Sequence, residues 1–222
     1  MQPLISDLPL FPLGTVLFPG GLLPLRVFEA RYLDMTRACL RDKTPFGVAL
    51  LKTGHEVATA PRGQHDAEPE AVGCLAEIIE CDMEQLGVLL IRCRGTQRFR
   101  LVSSQYQKDG LLRGIAQPIA PDGVADDGTD IDTDNNADPD HLLRLASCAE
   151  VLGRIIDSAR ERDAQNMPFL EPFLLEDASW VSNRLAEVLP ISMRARQQMM
   201  ELEDAPTRIE LVHQYMRRNQ LL

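Results

Sequence analysis

Residues 8–25 read LPLFPLGTVLFPGGLLPL, an apolar run divided by Pro9, Pro12, Pro19 and Pro24. Proline has no N–H to give to a sheet ladder, so this run predicts short extended pieces at sheet edges or bends, not one central strand. Pro19-Gly20-Gly21 is a turn signal inside it. Directly downstream, in VFEARYLDM (27–35) and the residues after it, Phe28, Tyr32, Met35 and Cys39 stand at spacings of 4, 3 and 4. That spacing predicts a helix with all four on one face.

Outward from there, the first half continues as short apolar or alternating runs. Phe46–Leu51 (FGVALL), residues 73–79 (GCLAEII), residues 86–93 (LGVLLIRC), Arg98–Leu101 and residues 111–119 (LLRGIAQPI) each read as a strand. Several short strands separated by glycine-containing turns predict a small closed sheet or barrel instead of a parallel βαβ sheet. The second half is helical. Leu142, Leu145, Ala149, Leu152, Ile156 and Ala159 form one stripe; Leu174, Ala178, Val181, Leu185 and Val188 form another, which Pro190 should end by Leu189. Two shorter helices are expected at 192–203 and 207–219, the latter with Thr207 and Glu210 as a capping box. The fold class is therefore α+β, an N-terminal small antiparallel β-barrel followed by a C-terminal helical bundle.

The chain has 222 residues, 45% hydrophobic and 25% charged, with 33 acids against 23 bases and a net charge of −10. This composition is that of an ordinary globular protein, and the excess acid argues against a nucleic-acid or anionic-membrane partner. The charge is unevenly placed. Residues 1–121 balance, whereas 122–140 (DGVADDGTDIDTDNNADPD) hold eight aspartates and no Lys or Arg. Such a stretch buries too little apolar surface to order itself, so the expected division is a barrel at 1–121, an acidic flexible loop at 122–140 and a bundle at 141–222. The folded body is then nearly neutral, which weakens the argument against nucleic acid. No basic residue precedes Arg26, so the opening does not read as a secretion signal. The longest apolar stretch, Val16–Leu25, is too short and too broken to span a membrane. Five cysteines without a CxxC pair read as reduced, mostly buried thiols in a cytoplasmic protein, with no zinc site.

Tests for chemistry come back negative. Only Lys43, Lys52 and Lys108 are present, none after a glycine, so there is no phosphate-binding GxxxxGK[ST] loop; GxGxxG and GxSxG are absent too. A triad built from distant residues is recognised by geometry and is not legible in sequence order. Asp130, Asp132 and Asp134 have the alternation of a calcium loop, but Asn135 and His141 stand where its turn glycine and closing glutamate are needed. A solvated acidic linker accounts for them. RCRGTQRFR packs Arg92, Arg94, Arg98 and Arg100 into nine residues. It reads either as an RNA-backbone patch with Phe99 for stacking, or as a strand face whose arginines meet Glu77, Glu80 and Glu84 across the sheet; the second is favoured.

The opening LPLFPLGTVLFPGGLLPL with VFEARYLDM resembles the N-terminal substrate-binding domain of the Lon protease family, and among its members the short, free-standing bacterial ones. The likeness continues through FGVALL (46–51), VGCLAEI (72–78), GTQRFRLV (95–102) and the helical RLAEVLPISMRARQQMMELEDAPTRIELV. It implies a PUA-like barrel, of the pseudouridine-synthase-and-archaeosine-transglycosylase type, then helices. It further implies recognition of unfolded or tagged polypeptides without ATPase or peptidase parts, so no catalytic residue, metal or cofactor carries over. The reading is a non-catalytic protein- or peptide-binding module linked to protein quality control, with a protease among its candidate partners, as monomer or homodimer. The alternative is an RNA-binding module using the same barrel. Phe28, Arg31, Tyr32, Arg98 and Phe99 are the candidate binding residues, and the aromatic ones serve equally well as core.

Overall fold

The computed structural model describes residues 3–53, 68–123 and 139–222. The chain divides into two compact units, Met1–Ile119 and Ala120–Leu222. The acidic stretch lies mostly at 124–138, outside the described residues, as do Asp130, Asp132 and Asp134.

The first unit contains β1 (Ile5–Leu13), β2 (Leu22–Val27), α1 (Ala30–Asp42), β3 (Phe46–Thr53), β4 (Glu68–Gln85), β5 (Val88–Tyr106) and β6 (Leu112–Pro118). The strand order is β2-β5-β4-β3-β1-β6, and a further β5–β6 pairing brings the sheet round into a ring. All neighbours are antiparallel except β1 and β3, which run parallel. Parallel neighbours need a crossover, and β2 with α1 supplies it.

The prolines are placed differently from expectation in β1, which lies between β3 and β6 and is no edge. Its two partnerships are staggered: β6 pairs with Ile5–Leu10 and β3 with Leu10–Leu13. Pro9 therefore lies where only β6 is paired and Pro12 where only β3 is, so each has a side that asks for no N–H. Pro24 behaves as expected, since β2 pairs with β5 alone. The Phe18–Gly21 turn closes with Gly21 N–H donating to Phe18 O at 3.0 Å, with Gly20 at φ 74°. It docks on Gly95 through two backbone hydrogen bonds of 2.8 and 2.9 Å, and a Cβ on Gly95 would stand 2.1 Å from the Phe18 carbonyl oxygen. Only glycine permits that approach.

Inward-facing residues fill the ring. Leu8, Leu10, Leu75, Phe99, Leu112 and Ala116 form a buried cluster, with Ile5, Leu101 and Tyr106 packed against it. The helix predicted from Phe28 begins two residues later. Tyr32, Met35 and Cys39 are its buried face as expected, joined by Thr36, whereas Phe28 precedes the helix and is exposed.

In the second unit, α2 (Pro139–Arg162), α3 (Ala178–Val188), α4 (Met193–Glu201) and α5 (Ala205–Arg218) pack with α3 against each of the other three. That central place overrides the expected single stripe: Trp180 through Ala186 are all buried, while Leu174 and Val188 are exposed. Likewise the α2 stripe buries Leu152, Ile156 and Ala159 but leaves Leu142 exposed. Asp177, Ser192 and Asp204 cap α3, α4 and α5 by accepting N–H bonds from Trp180, Ala195 and Thr207. The predicted capping role of Thr207 thus passes to Asp204, because Pro206 sits in the first turn. Arg208, buried on α5, donates to Asp122, to Ser179 and Ser182 Oγ, and to the Leu202 carbonyl at 2.7 Å. Asp122, read from composition as linker, is instead a partner inside the bundle.

Candidate functional site

Strands β4 and β5 are far longer than the ring needs. Strand β3 pairs with β4 only from Glu68 to Ala76, and β6 pairs with β5 only from Phe99 to Tyr106. What remains, Glu77–Gln85 with Val88–Arg94, runs on past the ring as a hairpin arm, and β2 lies along the other side of its β5 half. The turn is Leu86-Gly87, with Gly87 at φ 83°, the positive φ at the second central residue that favours glycine. The strand expected to start at Leu86 therefore starts at Val88. Among the described residues, neither the outer edge of β2 nor that of β4 beyond Ala76 has a strand partner.

Alternation gives the arm two faces. One buries Leu23, Val27, Ile91 and Cys93. The other carries ion pairs: Arg94 Nη2 to Glu77 at 2.8 Å, Arg92 Nη1 to Glu80 at 3.0 Å and Arg26 Nε to Glu84 at 2.8 Å. Two of the four clustered arginines thus meet the glutamates expected for them. Arg98 turns inward beyond the bulge at Gly95 and is 4% exposed, whereas Arg100 is exposed, so the four do not make one cationic surface.

The distal end of the arm is apolar and open. The register aligns Val27, Leu89 and Met83, which brings Phe28 to the same end as the turn. Leu86 is 95% exposed, Met83 60% and Phe28 52%. Further back, Pro24, Leu25 and Arg26 of β2, Leu90, Ile91 and Arg92 of β5, and Glu80 and Asp82 of β4 line a pocket of about 420 Å³. That volume falls in the range of small-ligand and side-chain pockets.

The five residues singled out in the sequence separate by environment. Phe28 offers its ring to solvent at the arm's end. Arg31 is nearly buried, paired with Glu29 at 2.9 Å, bonded to the Gly110 carbonyl at 2.8 Å and lying 4.6 Å over the Tyr32 ring. Tyr32 in turn stacks on Phe11 with ring centroids 3.8 Å apart. Arg98 is buried, and Phe99 is wholly enclosed in the ring core. Met83, Leu86, Leu90 and Asp82 were not singled out. Their signal was present in ECDMEQLG, where alternating acids run into a Leu-Gly turn between two apolar runs.

The shifted cysteines are held in their unreactive thiol form. Burial pushes the Cys93 and Cys148 thiols up to about 12 and raises Cys39 as well. Cys81, the exposed thiol, is raised by partial burial and by Asp82. All four shifts oppose the thiolate a nucleophile needs. Among the described residues, no three His, Cys, Asp or Glu side chains gather to hold a metal, and no helix is long and apolar enough to cross a membrane.

The first unit is thus a ring-closed, mostly antiparallel sheet with a projecting, apolar-tipped arm, and the second is helical. The chain belongs to the ATP-dependent protease La (LON) substrate-binding domain family, whose model matches residues 7–218. It is similar to a Lon N-terminal domain protein from Xanthomonas campestris, at 35% identity and a TM-score of 0.65 over 94% of this chain and 97% of that one. The N-terminal domain of the Mycobacterium avium complex Lon protease shares the fold, at 12% identity and a TM-score of 0.59 over 93% of this chain and 96% of that one. No curated protein matches. The expected α+β class and the family resemblance both hold, and the family supports a substrate-binding role.

Proposed function

We propose that this chain is a non-catalytic polypeptide-binding module that holds exposed apolar segments of unfolded proteins on its β2–β5–β4 arm. The observation that carries this reading is the exposure of Phe28, Met83 and Leu86 at the end of an arm whose two outer edges have no strand partner among the described residues. Large apolar side chains exposed together at one end of an arm mark an interaction site, and an unpartnered strand edge offers an extended chain its backbone hydrogen bonds. The cellular setting that follows is protein quality control, with a protease as the natural recipient of what is held. Phe28 belongs to this surface, whereas Tyr32 stacks on Phe11 and Arg31 lies over the Tyr32 ring.

The test is anisotropy of a dye-labelled, permanently unfolded polypeptide titrated with the full chain. Leu86→Asp and Met83→Asp remove apolar contact without touching the core, so they should weaken binding about tenfold or more at an unchanged melting temperature, as loss of central apolar anchors does. Wild-type affinity in both variants would remove the arm from the binding surface.

A further inference from the structure

The arm carries four acids on or beside one strand, and three of them have a cation across the sheet: Glu77 with Arg94, Glu80 with Arg92 and Glu84 with Arg26. The fourth does not. Asp82 is registered opposite Leu90, and both line the pocket. Its Oδ1 accepts the Met83 N–H at 2.8 Å, and among the described residues it has no cationic partner. An apolar floor formed by Pro24 and Leu90 therefore has one uncompensated carboxylate at its rim.

We propose that this pocket selects its polypeptide by charge: it takes a large apolar side chain over Leu90 and sets Asp82 against a Lys or Arg close by in the same extended chain. Side chains two apart in an extended segment return to the same face, so a cation two residues from the apolar one reaches the rim without bending the backbone. Acidic flanks would meet Asp82 with no counter-charge free to answer, because the neighbouring arginines are already engaged by glutamates. Specificity of this kind arises as much from the repelled partner as from the attracted one. The inference rests on the polypeptide-binding reading above and adds the class of segment preferred.

The test uses the full chain and three dye-labelled peptides alike except for a central Lys-Ser-Leu-Ser-Lys, Ser-Ser-Leu-Ser-Ser or Glu-Ser-Leu-Ser-Glu, which set the variable pair two residues from the leucine and on its face, alongside the unfolded polypeptide as reference. At low salt the peptide with lysines should bind about fivefold tighter than the one with glutamates, the upper end for an exposed ion pair. Near 1 M salt, where screening acts within about 3 Å, the preference should vanish. Asp82→Asn should abolish the preference and Asp82→Lys should invert it, each at the wild-type melting temperature. Equal affinities in wild type, or a preference that survives Asp82→Asn, would overturn the charge selection. If the reference polypeptide binds but no peptide does, the pocket proposal fails and the binding reading stands. If the reference fails as well, both fall.

Discussion

Phe99 lies within the stretch that most resembles a stacking site, and truncating it separates a core role from a binding one. Its ring is fully buried among Leu8, Leu10, Leu75, Leu112 and Ala116, and it occupies space that two glycines leave open. A Cβ on Gly73 would stand 2.6 Å from Phe99 Cζ, and one on Gly47 would stand 2.9 Å from it. Burying a phenylalanine removes about 200 Å² from water, worth about 5 kcal/mol at 25 cal/mol per Å². With relaxation, Phe99→Ala should cost about 3–5 kcal/mol. Gly47→Ala should cost about 1–3 kcal/mol by overpacking against Phe99, Leu8 and Leu10. In combination the two should cost less than their sum by at least about 0.5 kcal/mol, because the smaller side chain vacates part of the space that the new methyl needs. The assay is urea unfolding of all four members of the cycle, with peptide binding measured on the folded fraction. A Phe99→Ala variant losing under about 1 kcal/mol while binding collapses would refute the core assignment.

The remaining predictions concern the helical unit. Asp122→Ala leaves the Arg208 guanidinium buried without its carboxylate, so unfolding free energy should fall by about 3–5 kcal/mol, and Asp122→Ala with Arg208→Met should regain part of that loss. Full stability in the single variant would return Asp122 to the linker. The His213 pKa is lowered from its ordinary 6.5 by burial, then by Arg217 and Arg144. Below pH 6.5 the unfolded chain therefore binds a proton that the folded chain resists, and stability should drop as pH falls through that window. His213→Gln should flatten this acid-side slope in melting temperature measured against pH; an unchanged slope would contradict the assignment.

Local signals that depend on few neighbours were legible in the chain itself. The runs at Phe46, Gly73 and Leu111 became strands, Pro190 ended α3, and Pro19-Gly20-Gly21 made its turn, since each reflects backbone restrictions acting within a few residues. Arginine–glutamate pairing across the sheet was also foreseen, because strand alternation constrains which charges can meet. Boundaries and faces were less legible. Phe28 fitted the helical spacing but stands before α1, and Leu86 fitted a strand but makes the turn. The alternation and turn in ECDMEQLG marked a hairpin, but the distal surface exists only because β4 and β5 outrun their partners, which no local pattern reveals.

The amino-acid sequence alone thus determined that strands come first and helices second, where the chain turns, and that residues 1–121 carry no net charge. These properties belong to a residue and its near neighbours, and they survive any packing. Tertiary structure alone decided that β1 could be interior despite two prolines, that α3 would be buried from Trp180 through Ala186, that Asp122 would meet Arg208, and that Asp82 would have no cation among the described residues. Each depends on which distant segment arrives beside it and in what register, and a one-residue slip in a strand would reverse the answer.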